Sequence, residues 1–106
     1  MRILFDQGTP VPLRKCLNPH QVATAFELGW STLTNGELLT VAEQEGFEVF
    51  VTTDQNLRSQ QDLGAWSIAI VVLSSTSWPR IQKAVSAVTQ AIDAALPGSF
   101  QEVIIP

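Results

Sequence analysis

Val49-Phe50-Val51-Thr52-Thr53-Asp54-Gln55-Asn56-Leu57 is the stretch on which the fold turns. The run Phe47-Glu48-Val49-Phe50-Val51 that leads into it is mostly β-branched or aromatic. It is the right length for a buried strand and too short for a helix. Thr52 and Thr53 end the run, and Asp54 follows at once. In an open α/β sheet the carboxyl ends of the strands face the ligand crevice, which puts Asp54 at the rim of one. Asp is also among the best helix N-caps, so a purely structural role stands beside the functional one.

Working outward, Arg2 to Phe5 reads as a first strand ending at Asp6, and Gln7-Gly8 as a turn. Thr9-Pro10 has the form of an N-cap followed by proline at the first helical position. The short helix it predicts has Leu13, Cys16 and Leu17 on its apolar side and stops at Asn18-Pro19. His20 to Ala25 fits a second strand. Thr34-Asn35-Gly36-Glu37 has capping-box spacing and predicts a helix with Leu38, Val41 and Ala42 inward, ending near Gly46. Beyond Asp54, Gln55 to Leu63 reads as a short helix or turn closed by Gly64. Ile68 to Leu73 is the most apolar run, a strand covered on both faces and hence part of a parallel sheet. Ser77 and Pro79 open the longest expected helix, whose stripe of Ile81, Val85, Val88, Ile92 and Leu96 runs to Pro97-Gly98. Phe100 to Ile105 reads as a last strand at a sheet edge. Strands alternating with helices predict one α/β domain over 1–106, three-layered, with a parallel sheet of four or five strands.

The totals narrow the function. Of the 106 residues, 45% are hydrophobic and only 15% charged, with a net charge of −4. A duplex-binding module normally carries a basic face, which this chain lacks. Its cations are Arg2, Arg14, Lys15, Arg58, Arg80 and Lys83. Cys16 is the only cysteine and His20 the only histidine, so a zinc constellation is excluded. Cys16 reads as a small packing residue. The opening Met-Arg-Ile-Leu-Phe-Asp reads as a strand, not a signal peptide, and no apolar run approaches about 18 residues. No membrane span and a cytoplasmic location are therefore expected.

Three carboxylates fall at comparable places: Asp6 after the first strand, Glu37 in the first turn of a helix, and Asp54 after a later strand. In a parallel sheet these positions share one edge. At about 4–5 Å and an effective dielectric near 20, each like-charge pair costs about 4 kcal/mol. Convergence then calls for a divalent cation or a raised pKa. Mg²⁺ or Mn²⁺ suits an all-oxygen site and can activate water against a phosphodiester. Each acid also has a structural role open to it: Asp6 in an Asx-turn, Glu37 as the capping-box partner of Thr34, Asp54 as a cap.

Ile3-Leu4-Phe5-Asp6-Gln7, Asn35-Gly36-Glu37-Leu38-Leu39 and Thr52-Thr53-Asp54-Gln55-Asn56-Leu57, in that order and spacing, resemble the PIN-like domains related to VapC-type toxin ribonucleases. The nearest likeness is to the short PIN-like proteins of about this length, and it covers essentially the whole chain. The resemblance implies a Mg²⁺-dependent endoribonuclease, usually a homodimer and often the toxin of a toxin–antitoxin pair. It implies Asp6, Glu37 and Asp54 as the catalytic and metal-binding acids. A fourth acid of many such nucleases would fall near Asn56, and Asn35 replaces an acid of some relatives, so both positions hold amides here. Arg58 is the expected phosphate contact. Trp30, Trp66 and Trp78 read as packing residues, with base stacking as the alternative. Three tryptophans on so apolar a chain also favour a dimer.

Two other readings compete. One keeps the PIN-like fold without the chemistry, as a catalytically degenerate interaction module. The other is a receiver-type signalling domain, with Asp54 as phosphoacceptor and Ser74-Ser75 after the fourth strand. Such domains pair two acids after the first strand and place a lysine after the fifth. Here Gln7 follows Asp6, and nothing beyond Lys83 is basic.

Overall fold

The structure is a computed structural model and describes residues 1–57 and 66–106. Five strands form one sheet, all parallel: β1 (Arg2–Phe5), β2 (Gln21–Thr24), β3 (Val49–Thr52), β4 (Ala69–Leu73) and β5 (Phe100–Val103), in the order β2-β1-β3-β4-β5. Between them lie a 3-10 helix (Val11–Leu17), α1 (Asn35–Gln44), α2 (Trp78–Lys83) and α3 (Val85–Asp93).

Side-chain alternation makes the sheet two-faced. Ile3, Phe5, Val49, Val51, Val71 and Leu73 point to one side, where Leu13, Leu17, Ile81, Val88 and Ile92 cover them. Leu4, Phe50, Ile70 and Val72 point to the other, against Leu38, Leu39 and Ala42 of α1. Every residue of β3 and β4 is buried, as a central strand of a covered parallel sheet requires. The three-layer α/β expectation is met with five strands. Among the described residues no helix is long and apolar enough to cross a membrane.

Local corrections have physical causes. The 3-10 helix is N-capped by Pro10, not Thr9, because the Thr9 side chain turns back to Asp6. Cys16 is exposed, while Leu13 and Leu17 alone carry that helix's core face. Phe47 precedes β3 and closes a Schellman turn, its N–H donating to Ala42 O at 2.9 Å and Gly46 N–H to Glu43 O at 3.2 Å. Gly46 sits at φ +83°, where only glycine is unstrained. The long helix divides at Ala84 (φ −113°, ψ 18°), so the stripe belongs to α2 and α3 separately. Ile81, Val88 and Ile92 are buried, Val85 is half-buried, and Leu96 lies past the helix end and 68% exposed.

The strand order fixes where a ligand can go. The chain leaves β1 for β2 on one side, then passes back over β1 through α1 to reach β3 on the other. That reversal opens a crevice at the carboxyl ends of β1 and β3. Asp6 directly follows the first of these ends, and Thr53-Asp54 the second.

A candidate acidic site at the β1/β3 switch point

Asp6 continues the sheet by one residue, its N–H donating to Val51 O at 3.2 Å. Its carboxyl is buried and held from two sides. Oδ1 accepts from the Thr9 N–H at 3.1 Å and the Thr9 hydroxyl at 2.7 Å. Oδ2 accepts from the Thr52 hydroxyl at 2.5 Å. The Thr9 hydroxyl oxygen also lies 3.0 Å from Val51 O, but the carboxylate is nearer and charged. Burial is the main reason the Asp6 carboxyl is pushed above the ordinary value of 3.8, and the neighbouring Asp54 charge adds to it. The hydrogen bonds from Thr52 and Thr9 pull the other way.

Thr52 joins the two acids. While its hydroxyl donates to Asp6, it accepts the Asp54 N–H at 3.0 Å. Asp54 Oδ1 accepts the Asn56 N–H at 3.0 Å, an Asx-turn that starts the next segment. Asp54 Oδ2 accepts from Asn35 Nδ2 at 2.8 Å. A carboxylate offers only acceptors, which fixes the Asn35 amide with its nitrogen toward Asp54. Asp54 thus both organises its own turn and holds the Asn35 amide.

Glu37 is turned elsewhere. Its Oε1 accepts the Thr34 N–H at 2.9 Å while its own N–H donates to the Thr34 hydroxyl at 3.3 Å, a closed capping box. The Thr34 N–H, with the Thr34 side chain, holds the Glu37 carboxyl below its usual range. The structural role open to Glu37 is therefore the one it fills. Asn35, two residues earlier in the same turn, is the α1 side chain that reaches the acids. Arg58 lies outside the described residues, as do Leu63 and Gly64.

Two depressions adjoin Asp6. Gly8 passes so close to Thr53 that an added Cβ would collide with its Oγ1. A depression of about 150 Å³ lies between Asp6, Gly8, Trp30, Leu33, Asn35 and Leu38. A second, of about 450 Å³, adjoins it and shares Asp6, Gln7 and Ser31. The Gln7 side chain separates them, donating to Ser31 O at 2.7 Å. Trp30 packs edge-on against Phe47 at 6.2 Å, and Trp66 and Trp78 lie partly against the two cores. All three tryptophans are partly buried against a core. Phe26, which lines the larger depression, is the aromatic that sequence reasoning missed. Its position after an edge strand carries no pattern that sets it apart.

Among the described residues no three His, Cys, Asp or Glu side chains form a metal cage. A hydrated Mg²⁺ asks for less, since it keeps several waters and takes one or two carboxylates. With about four lone-pair positions per carboxylate, Asp6 uses three and Asp54 two. About one position on Asp6 and two on Asp54 remain open to a cation, which would offset their repulsion. The residues fit a water-rich Mg²⁺ site on Asp6 and Asp54. No family model matches the chain, nor does any curated protein or solved structure.

Proposed function

We propose that the chain is a Mg²⁺-dependent endoribonuclease whose working acids are Asp6 and Asp54. The observation that carries this reading is the pairing of two carboxylates across one threonine at the switch point, one of them buried with its proton affinity raised. The motif resemblance supplies the substrate class. Bound there, Mg²⁺ would neutralise phosphodiester charge and acidify a water.

The chain's own groups do the rest. Thr9 and Thr52 fix Asp6 and favour its ionised form. Asn35 and the Asn56 N–H fix Asp54. Glu37 acts on the site only by starting α1 where Asn35 can reach it. The same reading carries a homodimer and an antitoxin partner as proposals.

A second reading, the degenerate interaction module, draws support from Glu37 being held in its cap. A receiver-type domain shares the strand order 2-1-3-4-5, but β5 runs into Ile104-Ile105-Pro106 with no lysine at its end.

The test pairs a Mg²⁺/Mn²⁺ melting titration with cleavage of an unstructured RNA by wild type, Asp6→Asn and Asp54→Asn. Metal-dependent stabilisation and cleavage in wild type, both lost in the variants, is expected. Stabilisation without cleavage leaves the interaction module, and the absence of both effects refutes the metal site. Labelling of Asp54 by acetyl phosphate would instead favour the receiver.

A further inference from the structure

Phe26 is the one phenylalanine the structure shows largely in solvent, 78% exposed. Its backbone, however, is fastened on both sides. Ala25 N–H donates to Phe5 O at 2.9 Å, Trp30 N–H to Ala25 O at 2.9 Å, and Gly29 N–H to Phe26 O at 3.1 Å. Glu27 donates its N–H to the Thr24 hydroxyl at 3.2 Å and returns its carboxylate to Thr24 N–H at 2.9 Å. The same carboxylate pairs with Arg14 at 2.6 Å. A large apolar ring on a fixed turn loses little entropy when covered, and gains its full hydrophobic contribution.

The ring lines a hollow that shares Asp6 with the acidic site. Phe26 and Val11, itself 55% exposed, form its apolar part, and Asp6, Gln7, Thr9 and Ser31 its polar part. The volume of about 450 Å³ falls in the range of small-ligand sites. Among the described residues no lysine or arginine lines it. The nearby Arg14 is committed to Glu27. What the described part of this wall offers is a flat apolar face beside hydrogen-bonding groups.

We propose that the hollow seats one unpaired base of a single-stranded RNA, stacked on Phe26, with the adjoining phosphodiester directed at Asp6 and Asp54. The proposal rests on the ribonuclease reading and deepens it by naming the substrate's form. A base has a π-face for the ring and polar edges for Gln7, Thr9 and Ser31. A duplex keeps its base faces stacked within the helix and cannot present one to Phe26. Stacking tolerates any base, so the site selects strandedness over sequence. It also allows a chain of net charge −4 to hold RNA with few cations.

The experiment uses the full chain in Mg²⁺, with a fluorescein-labelled unstructured eight-nucleotide RNA and the same RNA annealed to its complement. Binding is read by anisotropy in the Asp54→Asn background and turnover in the wild-type background. Phe26→Ala should weaken single-strand binding about ten-fold and raise KM with kcat little changed. Phe26→Trp should restore both, and Ile104→Ala, an exposed apolar residue on the β5 side, should change neither. The melting temperature of Phe26→Ala should match wild type, since the ring is in solvent. The duplex should bind far more weakly than the single strand. If RNA is bound and cleaved equally well with and without the Phe26 ring, the stacking proposal falls while the ribonuclease reading stands. If Phe26→Ala spares RNA but abolishes binding of a copurifying protein, the hollow is a protein site and the proposal also falls. If the wild type neither binds nor cleaves RNA, both fall together.

Discussion

Replacing Thr52 by Val tests the central joint of the site with almost no change of shape. Thr52 is fully buried, and its hydroxyl holds Asp6 Oδ2 at 2.5 Å while receiving the Asp54 N–H at 3.0 Å. A hydrogen bond to a charged group contributes about 1.5–3 kcal/mol, and one to a neutral group about 1 kcal/mol. With Asp6 ionised the loss of both should therefore be about 2.5–4 kcal/mol, a large part of the roughly 5–15 kcal/mol typical of a domain. In thermal terms that is a fall of about 10 °C or more.

The cost should depend on pH in one direction. The folded Asp6 carboxyl lies above its ordinary value of 3.8, first through burial and then through the Asp54 charge. Stability from this group is thus fully present below 3.8 and is lost as pH rises through the raised folded value. Removing the Thr52 donor raises that folded value further and widens the window of loss. Urea unfolding of wild type and Thr52→Val, at about pH 7 and at a pH below 3.8, gives the difference directly. The gap should shrink to about 2 kcal/mol in acid, where both lost bonds are neutral, and the gap between wild type and Thr52→Ser, which keeps the hydroxyl, should show little pH dependence. An equal penalty at both pH values, or a neutral Thr52→Val, would refute the joint between Thr52 and Asp6.

Asn35→Asp should place a third negative charge against Asp54, lowering the melting temperature without divalent cation and enlarging the Mg²⁺-induced rise; an unchanged metal response would show that α1 does not reach the site. Glu37→Gln should leave metal-dependent stabilisation and RNA cleavage intact. Thr34→Ala, which opens the same capping box, should cost about 1 kcal/mol in urea unfolding. Because the Glu37 carboxyl sits below its usual range, its support of the cap should be present above the unfolded value and fade as pH falls through the lowered one. Ile92→Ala should cost about 2–5 kcal/mol, whereas Leu96→Ala, with its side chain 68% exposed, should be nearly neutral in the same assay.

Much of the framework was legible from local chemistry. The β-branched and aromatic runs around Val49 and Ile70 announce strands buried on both faces, because no other use of such uniform apolarity suits a chain this short. Thr34-Asn35-Gly36-Glu37 announces its helix, since the capping box is made between near neighbours. Asp6 and Asp54 were placed correctly at one edge, because parallel strands bring their carboxyl ends together by construction.

What the tertiary structure decided lies in competition among alternatives that are locally equal. Thr9 could have capped a helix, but a buried carboxylate next to it is the stronger acceptor. Glu37 could have reached the acids, but the capping box already satisfies it, and Asn35 takes that direction instead. The break at Ala84 has no signal in a residue that favours helix; only the two packed faces on either side of it fix it. The exposure of Phe26 is likewise invisible in sequence, where a phenylalanine reads as core. The turn after β2, fastened through Thr24, Ala25 and Glu27, turns that ring outward beside Asp6. Spacing along the chain sets what a residue can do nearby. Which of two satisfied states it adopts depends on partners brought from distant strands.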